Sequence, residues 1–204
     1  MATQQERVAK TNTRITNALV KAGKNKALKQ ITVSDLTRIS GISRGTFYLH
    51  YLDKEDLVNQ LEDDFAKQFQ TLLDSGITGA MDYRQLKSGQ PYPVIVAIVA
   101  FAAKNKDLLN FLFGPHGDPA FLGRMTAKLQ SAILSELQRV KGSATFRHDI
   151  PATYALSLVT NAIMSIVTTW LASPEPLSQA DVAALIMRAL YLSPYEILGI
   201  QAHD

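Results

Sequence analysis

The chain has no cysteine among its 204 residues, which rules out disulfides and thiolate metal sites and is compatible with a reducing cytoplasm. The first residues, Met1 to Arg7, contain no apolar run of the kind a signal peptide needs, so none is expected. Histidine is sparse and scattered. His50, His116, His148 and His203 form no i,i+4 pair, no H-E-x-x-H motif and no cluster with carboxylates. There is no G-x-S-x-G elbow, phosphate-binding P-loop or dinucleotide glycine pattern either. The expectation is therefore no metal, no cofactor and no enzymatic activity. With 47% hydrophobic and 19% charged residues the chain can bury a substantial core.

The stretch Ile31 to Leu57, ITVSDLTRISGISRGTFYLHYLDKEDL, is spaced for more than burial. Thr32, Ser43 and Asp53 each precede an apolar-periodic run, where a side-chain oxygen can accept the free N–H groups of a first helical turn. Asp35 and Asp56 follow Thr32 and Asp53 three positions on, the spacing of a capping box. Short helices are predicted over 33–39 and 44–51, and a longer one from Lys54. Gly41 supplies the left-handed residue that lets the chain turn between the first two. Val33, Leu36, Ile39, Ile42, Phe47 and Leu57 form a small shared core. The second helix then keeps a polar face of Ser43, Arg44, Thr46, Tyr48 and His50, with no acidic residue from Ser43 to Leu52. Small Ser43, Gly45 and Thr46 allow close approach to a duplex; Arg44 can reach a guanine edge or a phosphate, and Tyr48 can donate to a phosphate.

The run T-V-x-D-L-x-x-x-x-G-I-S-R-G-T-F-Y-x-H-Y-x-D-K-E-D-L closely resembles the DNA-binding region of the tetracycline-repressor (TetR) family of bacterial regulators, over roughly the first 60 residues. The resemblance implies that Arg44, Thr46, Tyr48 and His50 lie on a recognition helix and that Lys54 matches a phosphate-contacting lysine. Thr32, Ser43 and Gly45 complete the candidate DNA-binding residues. Where the family commonly has glycine before the Thr-Val pair, this chain reads Lys26-Ala27-Leu28-Lys29-Gln30. The fold class implied is all-α: an N-terminal three-helix helix-turn-helix domain, residues 1–55, joined by a long helix to an all-helical dimerisation and ligand-binding domain, residues 56–204.

Charge is unevenly placed. Residues 1–52 carry nine Lys or Arg against two acids, a net of +7, so within a total of +3 the remainder carries −4. A solvated basic helix face has the same composition, but next to this motif the asymmetry favours a polyanion partner, double-stranded DNA. A first helix over about 5–22 bears Ile15, Ala18, Leu19 and Ala22 on one face and Lys10, Thr11, Arg14 and Lys21 on the other.

The helix from Lys54 places Leu57, Leu61, Phe65, Phe69, Leu72 and Leu73 on one face and ends near Gly76, a span long enough to act as a lever between the two domains. After a Gly- and Pro-rich connection holding at most a short helix, buried or amphipathic helices are predicted over 93–103, 105–113, 119–140, 151–172 and 178–192. Tyr154 to Leu171 contains no charged residue, but Ser157, Thr160, Asn161, Ser165, Thr168 and Thr169 argue against a membrane span. Pairing 151–172 and 178–192 with their copies would form a four-helix interface and a homodimer. Phe65, Phe69, Phe101, Phe111, Phe113, Met125, Tyr154, Asn161, Met164 and Trp170 are the candidate effector-pocket residues, at spacing that also suits an ordinary core. The expectation is a cytoplasmic, homodimeric, sequence-specific repressor released by a small hydrophobic effector. The alternative is a co-regulator acting mainly through a protein partner.

Overall fold

The computed structural model describes residues 3–200, and every regular element among them is helical. In chain order these are α1 (Gln4–Gly23), a 3₁₀ turn (Leu28–Gln30), α2 (Val33–Ser40), α3 (Arg44–Tyr48), α4 (Lys54–Gly76), α5 (Tyr83–Ser88), α6 (Pro93–Lys104), α7 (Lys106–Phe113), α8 (Pro119–Lys141), α9 (Ala152–Ala172), α10 (Gln179–Ala189) and α11 (Pro194–Ile197). The predicted all-α class is what the chain adopts. The 3₁₀ turn and α11 had no counterpart in the sequence reading. His203 lies outside the described residues.

The helices divide into two compact units, Met1–Lys67 with Asn105–Leu122, and Gln68–Lys104 with Gly123–Asp204. In the first, α1 packs on α2, and α2 on α3. Ile15, Leu19, Leu36, Phe47 and Leu57 are fully buried there. Each such side chain withdrawn from water contributes about 1.5–3 kcal/mol. Val33, Ile39 and Ile42, expected in the same core, are only half-buried.

In the second unit, α6, α9 and α10 pack on one another, and α6 buries Val94, Ile95, Ile98, Val99 and Ala102. Gly76 ends α4 against Val94, and Phe69 meets Phe101 with ring centroids 6.2 Å apart. The carboxylate of Glu136, its side chain 1% exposed, accepts two hydrogen bonds from Arg139 at 2.7 Å and one from the Gly79 N–H at 2.8 Å. Arg139 holds that carboxyl below its ordinary range, so the buried charge stays paired and pins the turn after α4 to α8.

Helix α9 is long and apolar enough to cross a membrane by length and composition, yet only 33% of its most apolar window is buried within the chain. Tyr154, Leu158, Val159, Asn161, Ser165 and Thr169 are exposed along it. Within one chain, one side of this helix stays open.

The segment 105–122 lies in sequence between two parts of the second unit but packs in the first. α7 lies on α1, where the ring of Phe111 covers Gly23 so closely that a Cβ on Gly23 would fall inside it. The following loop is tied to the same place: the Leu28 N–H donates to the His116 carbonyl at 2.7 Å, and His116 Nδ1 lies 3.2 Å from the Gly23 carbonyl. Gly23→Ala drives a methyl into this contact and should cost about 1–3 kcal/mol by overpacking, read as a lower thermal midpoint. Phe111→Leu in the same chain should return part of the loss; an unchanged midpoint for Gly23→Ala would refute the contact.

Candidate nucleic-acid interface

The turn between α2 and α3 is built almost wholly from local hydrogen bonds. At the start of α2, Thr32 and Asp35 exchange hydrogen bonds as a complete capping box, as their spacing predicts. At its end Gly41 is left-handed (φ 66°, ψ 36°), and the N–H groups of Gly41 and Ile42 both donate to the Thr37 carbonyl. The last carbonyls, of Ser40 and Gly41, accept from Arg14 Nη2 at 2.6 and 3.1 Å. A cation at a helix C-terminus also suits the macrodipole. Arg14, read from sequence as part of a solvated face, therefore ties α1 to the turn.

Helix α3 is five residues long. Ser43 caps it, its Oγ accepting from the Thr46 N–H at 2.9 Å and lying 2.9 Å from Thr46 Oγ1. The predicted helix to Tyr51 stops at Tyr48, because the His50 N–H turns to the Phe47 carbonyl and tightens the last turn. Tyr51 is buried beside Phe47, ring centroids 5.6 Å apart, and His50 stands half-buried against Tyr51. Arg44, Gly45 and Tyr48 are exposed, while Thr46 is half-buried.

Two residues without a sequence-level role stand out beside them. Leu49 is 86% and Leu52 82% exposed. Leu49 lies one helical turn from Gly45, on the face opposite Phe47, so helical spacing alone marked it as outward. Ser34 Oγ accepts a 2.6 Å hydrogen bond from Arg44 Nη2.

The entry to α4 is capped by Asp53, whose Oδ1 accepts from the Asp56 N–H at 2.7 Å. Asp56 returns its bond to the Leu52 N–H at 2.8 Å rather than to Asp53. Lys54 is not held out to solvent. Its side chain is 12% exposed, its Nζ donating to the Leu28 carbonyl and pairing with Glu55, each at 3.0 Å. Next to it opens a hollow of about 480 Å³ between the 3₁₀ turn, α4 and the loop 115–118.

The candidate effector residues divide between the units. Phe65, Phe111 and Phe113 belong to the first, where Phe113 stacks on Phe121 at 5.5 Å and Phe65 meets it at 6.4 Å. Phe69, Phe101, Met125, Tyr154, Asn161, Met164 and Trp170 belong to the second. Met125 is buried, and Trp170 is buried with its indole N–H on the Leu177 carbonyl at 2.8 Å. Met164 is half-buried, while Tyr154 and Asn161 face out from α9. Among the described residues no three His, Asp or Glu side chains gather as a metal site.

Residues 89–191 match a family profile described as the C-terminal region of TetR-type transcriptional regulators. Over 112 residues the chain is 30% identical to the uncharacterized HTH-type transcriptional regulator YxbF of Bacillus subtilis, a match covering 52% of this chain and 27% of that protein. The chain thus spans about a quarter of that relative's length. Among solved structures, a TetR-family regulator from Syntrophomonas wolfei superposes with TM-score 0.63 at 17% identity, over 99% of this chain and 100% of the other. The TetR transcriptional regulator of Streptococcus agalactiae gives 0.58 at 22% identity, over 92% and 97%. At these identities the superpositions establish the shared fold. All of these proteins carry the name of a transcriptional regulator.

Asp35 is the electrostatic keystone of the turn. Lys26 at 2.8 Å, then the backbone and hydroxyl of Thr32, hold its carboxyl well below the ordinary 3.8, with Arg38 a further 3.5 Å away. A depressed folded-state pKa stabilises the fold above the unfolded value and loses that contribution as pH falls towards the folded one. Asp35→Asn should therefore lower the melting midpoint at neutral pH, and its gap from the wild type should close as pH drops below about 4. A gap independent of pH would refute this assignment.

Proposed function

Since the chain belongs to the TetR family of transcriptional regulators, we propose that α3 reads double-stranded DNA and that two copies pair through α9 and α10 on a pseudo-palindromic operator. The observation that carries the reading is the exposed side of α3. Arg44, Gly45, Tyr48 and Leu49 are offered to solvent on an acid-free segment while Phe47 alone anchors it. Arg44 suits a guanine edge, Tyr48 and Ser43 phosphate oxygens, and Leu49 and Leu52 thymine methyls or deoxyribose. Thr46 and His50 flank them. Thr32 and Lys54 contact the backbone on either side, Lys54 after leaving Leu28 and Glu55.

Pairing follows from length as well as from the open side of α9. Five helical residues rise about 7 Å, against ~3.4 Å per base pair, so one α3 faces only two or three base pairs. Two copies about a two-fold axis double that reading, with half-sites near one helical turn, ~34–36 Å, or somewhat more. Tyr154 at 68% and Leu158 at 67% exposure, on a charge-free helix, supply apolar area for such an interface. The protein then acts in the cytoplasm as a repressor, released by a small hydrophobic effector held among the aromatic residues of the helical body. Thermal stabilisation by apolar compounds tests that last step.

Binding to a duplex selected from random sequence, followed across a salt series, tests the whole reading. Arg44→Ala should cost about 1–3 kcal/mol and relax preference at one base pair per half-site, whereas Lys54→Ala should weaken all sequences alike and lower the salt slope by about 1. Wild-type binding by both variants would refute the DNA assignments. Leu158→Glu should yield monomers in sedimentation and bind a full site no better than a half-site; a persisting dimer would place the interface elsewhere.

A further inference from the structure

We propose that Ser34 is a positioning residue for base reading: its hydroxyl aims the Arg44 guanidinium, so that α2 governs which base pair α3 discriminates. This rests on the reading of α3 as the recognition element.

Arg44 is exposed, and its position three residues before Phe47 puts it at the edge of α3 nearest α2. The 2.6 Å hydrogen bond from Nη2 to Ser34 Oγ catches it there, between the second residue of α2 and the first of α3, both exposed. No core packing explains the contact. The acceptor's chemistry does.

A carboxylate in that place would hold the guanidinium more firmly but cancel the charge that a phosphate or guanine edge attracts. A neutral hydroxyl restrains it, takes one of its five N–H donors and leaves the others for a bidentate contact to O6 and N7 of guanine. The adjacent carboxylate, Asp35, is already committed to Thr32, Lys26 and Arg38. No described carboxylate stands within ion-pair distance of Arg44. Ser34 is itself well fixed. The capping box brackets it, and its carbonyl accepts from the Thr37 hydroxyl at 3.3 Å. Part of the ordering an arginine undergoes on binding is therefore complete before DNA arrives.

The test uses the full-length protein and its preferred duplex, selected from random sequence, with affinities for every single-base-pair variant of that duplex. Ser34→Ala should lose about three- to tenfold discrimination, the scale of ordering one long side chain, at the base pair whose preference Arg44→Ala abolishes. Discrimination elsewhere, the salt slope and the melting midpoint should stay as in the wild type, Ser34→Thr should restore the loss, and Ser34→Ala should add nothing in the Arg44→Ala background. Undiminished discrimination in Ser34→Ala, a loss spread evenly over all positions, or a loss that persists without Arg44 would overturn the proposal. A wild-type protein that selects no sequence would overturn the recognition reading itself, and this inference with it.

Discussion

The burial of one ring, Phe47, decides what α3 presents. A helix of five residues is too short to hold itself in water, since nucleation is not repaid within a single turn. It persists because Phe47 is completely buried, with Tyr51 against its ring, and because Ser43 satisfies its first turn. With Phe47 inward, helical geometry sets the rest: Gly45 and Leu49 on the opposite face, Thr46 and Tyr48 on the flanks, Arg44 at the edge nearest α2. Truncating the ring would remove about 3–5 kcal/mol and with it the only reason for this orientation.

What was legible in the sequence was what the chain settles locally. The Thr32–Asp35 box, the Ser43 cap, the left-handed Gly41 and the run from Lys54 to Gly76 all depend on hydrogen bonds or periodicity within a few residues. The ends that differ, α3 stopping at Tyr48 and α10 at Ala189, are last turns in which tighter hydrogen bonds override propensity. Periodicity names the face of a helix that is buried, not what buries it. Arg14 therefore reads as solvent-facing although it caps α2, and nothing in the pattern signals that Lys54 is bonded to a carbonyl 26 residues away. No sequence pattern signalled that 105–122 packs with the N-terminal helices, because the Phe111–Gly23 and His116–Leu28 contacts join residues about ninety positions apart.

For the candidate ligand residues, composition was equally silent. Phe, Met and Trp at helical spacing fit a core and a pocket alike, and Trp170 shows why: its indole is answered by the Leu177 carbonyl and needs no ligand. The exposed side of α9 is a different matter. On this charge-free helix Tyr154, Leu158 and Val159 are exposed together, so that part of its open side asks for a covering surface in a way that an isolated exposed leucine does not.

The cations of the first unit sort by partner. Lys26 is paired with Asp35, Lys54 with Glu55, and Arg14 is spent on helix carbonyls. A cation that faces a carboxylate or a carbonyl already has its contribution to the folded turn in place. Arg44 alone of these four is held by a neutral hydroxyl and keeps its charge and most of its donors unspent. The same residue types thus sit in two settings: carboxylate-paired and carbonyl-bound cations fix the geometry of the turn, and the hydroxyl-held one keeps its charge uncompensated.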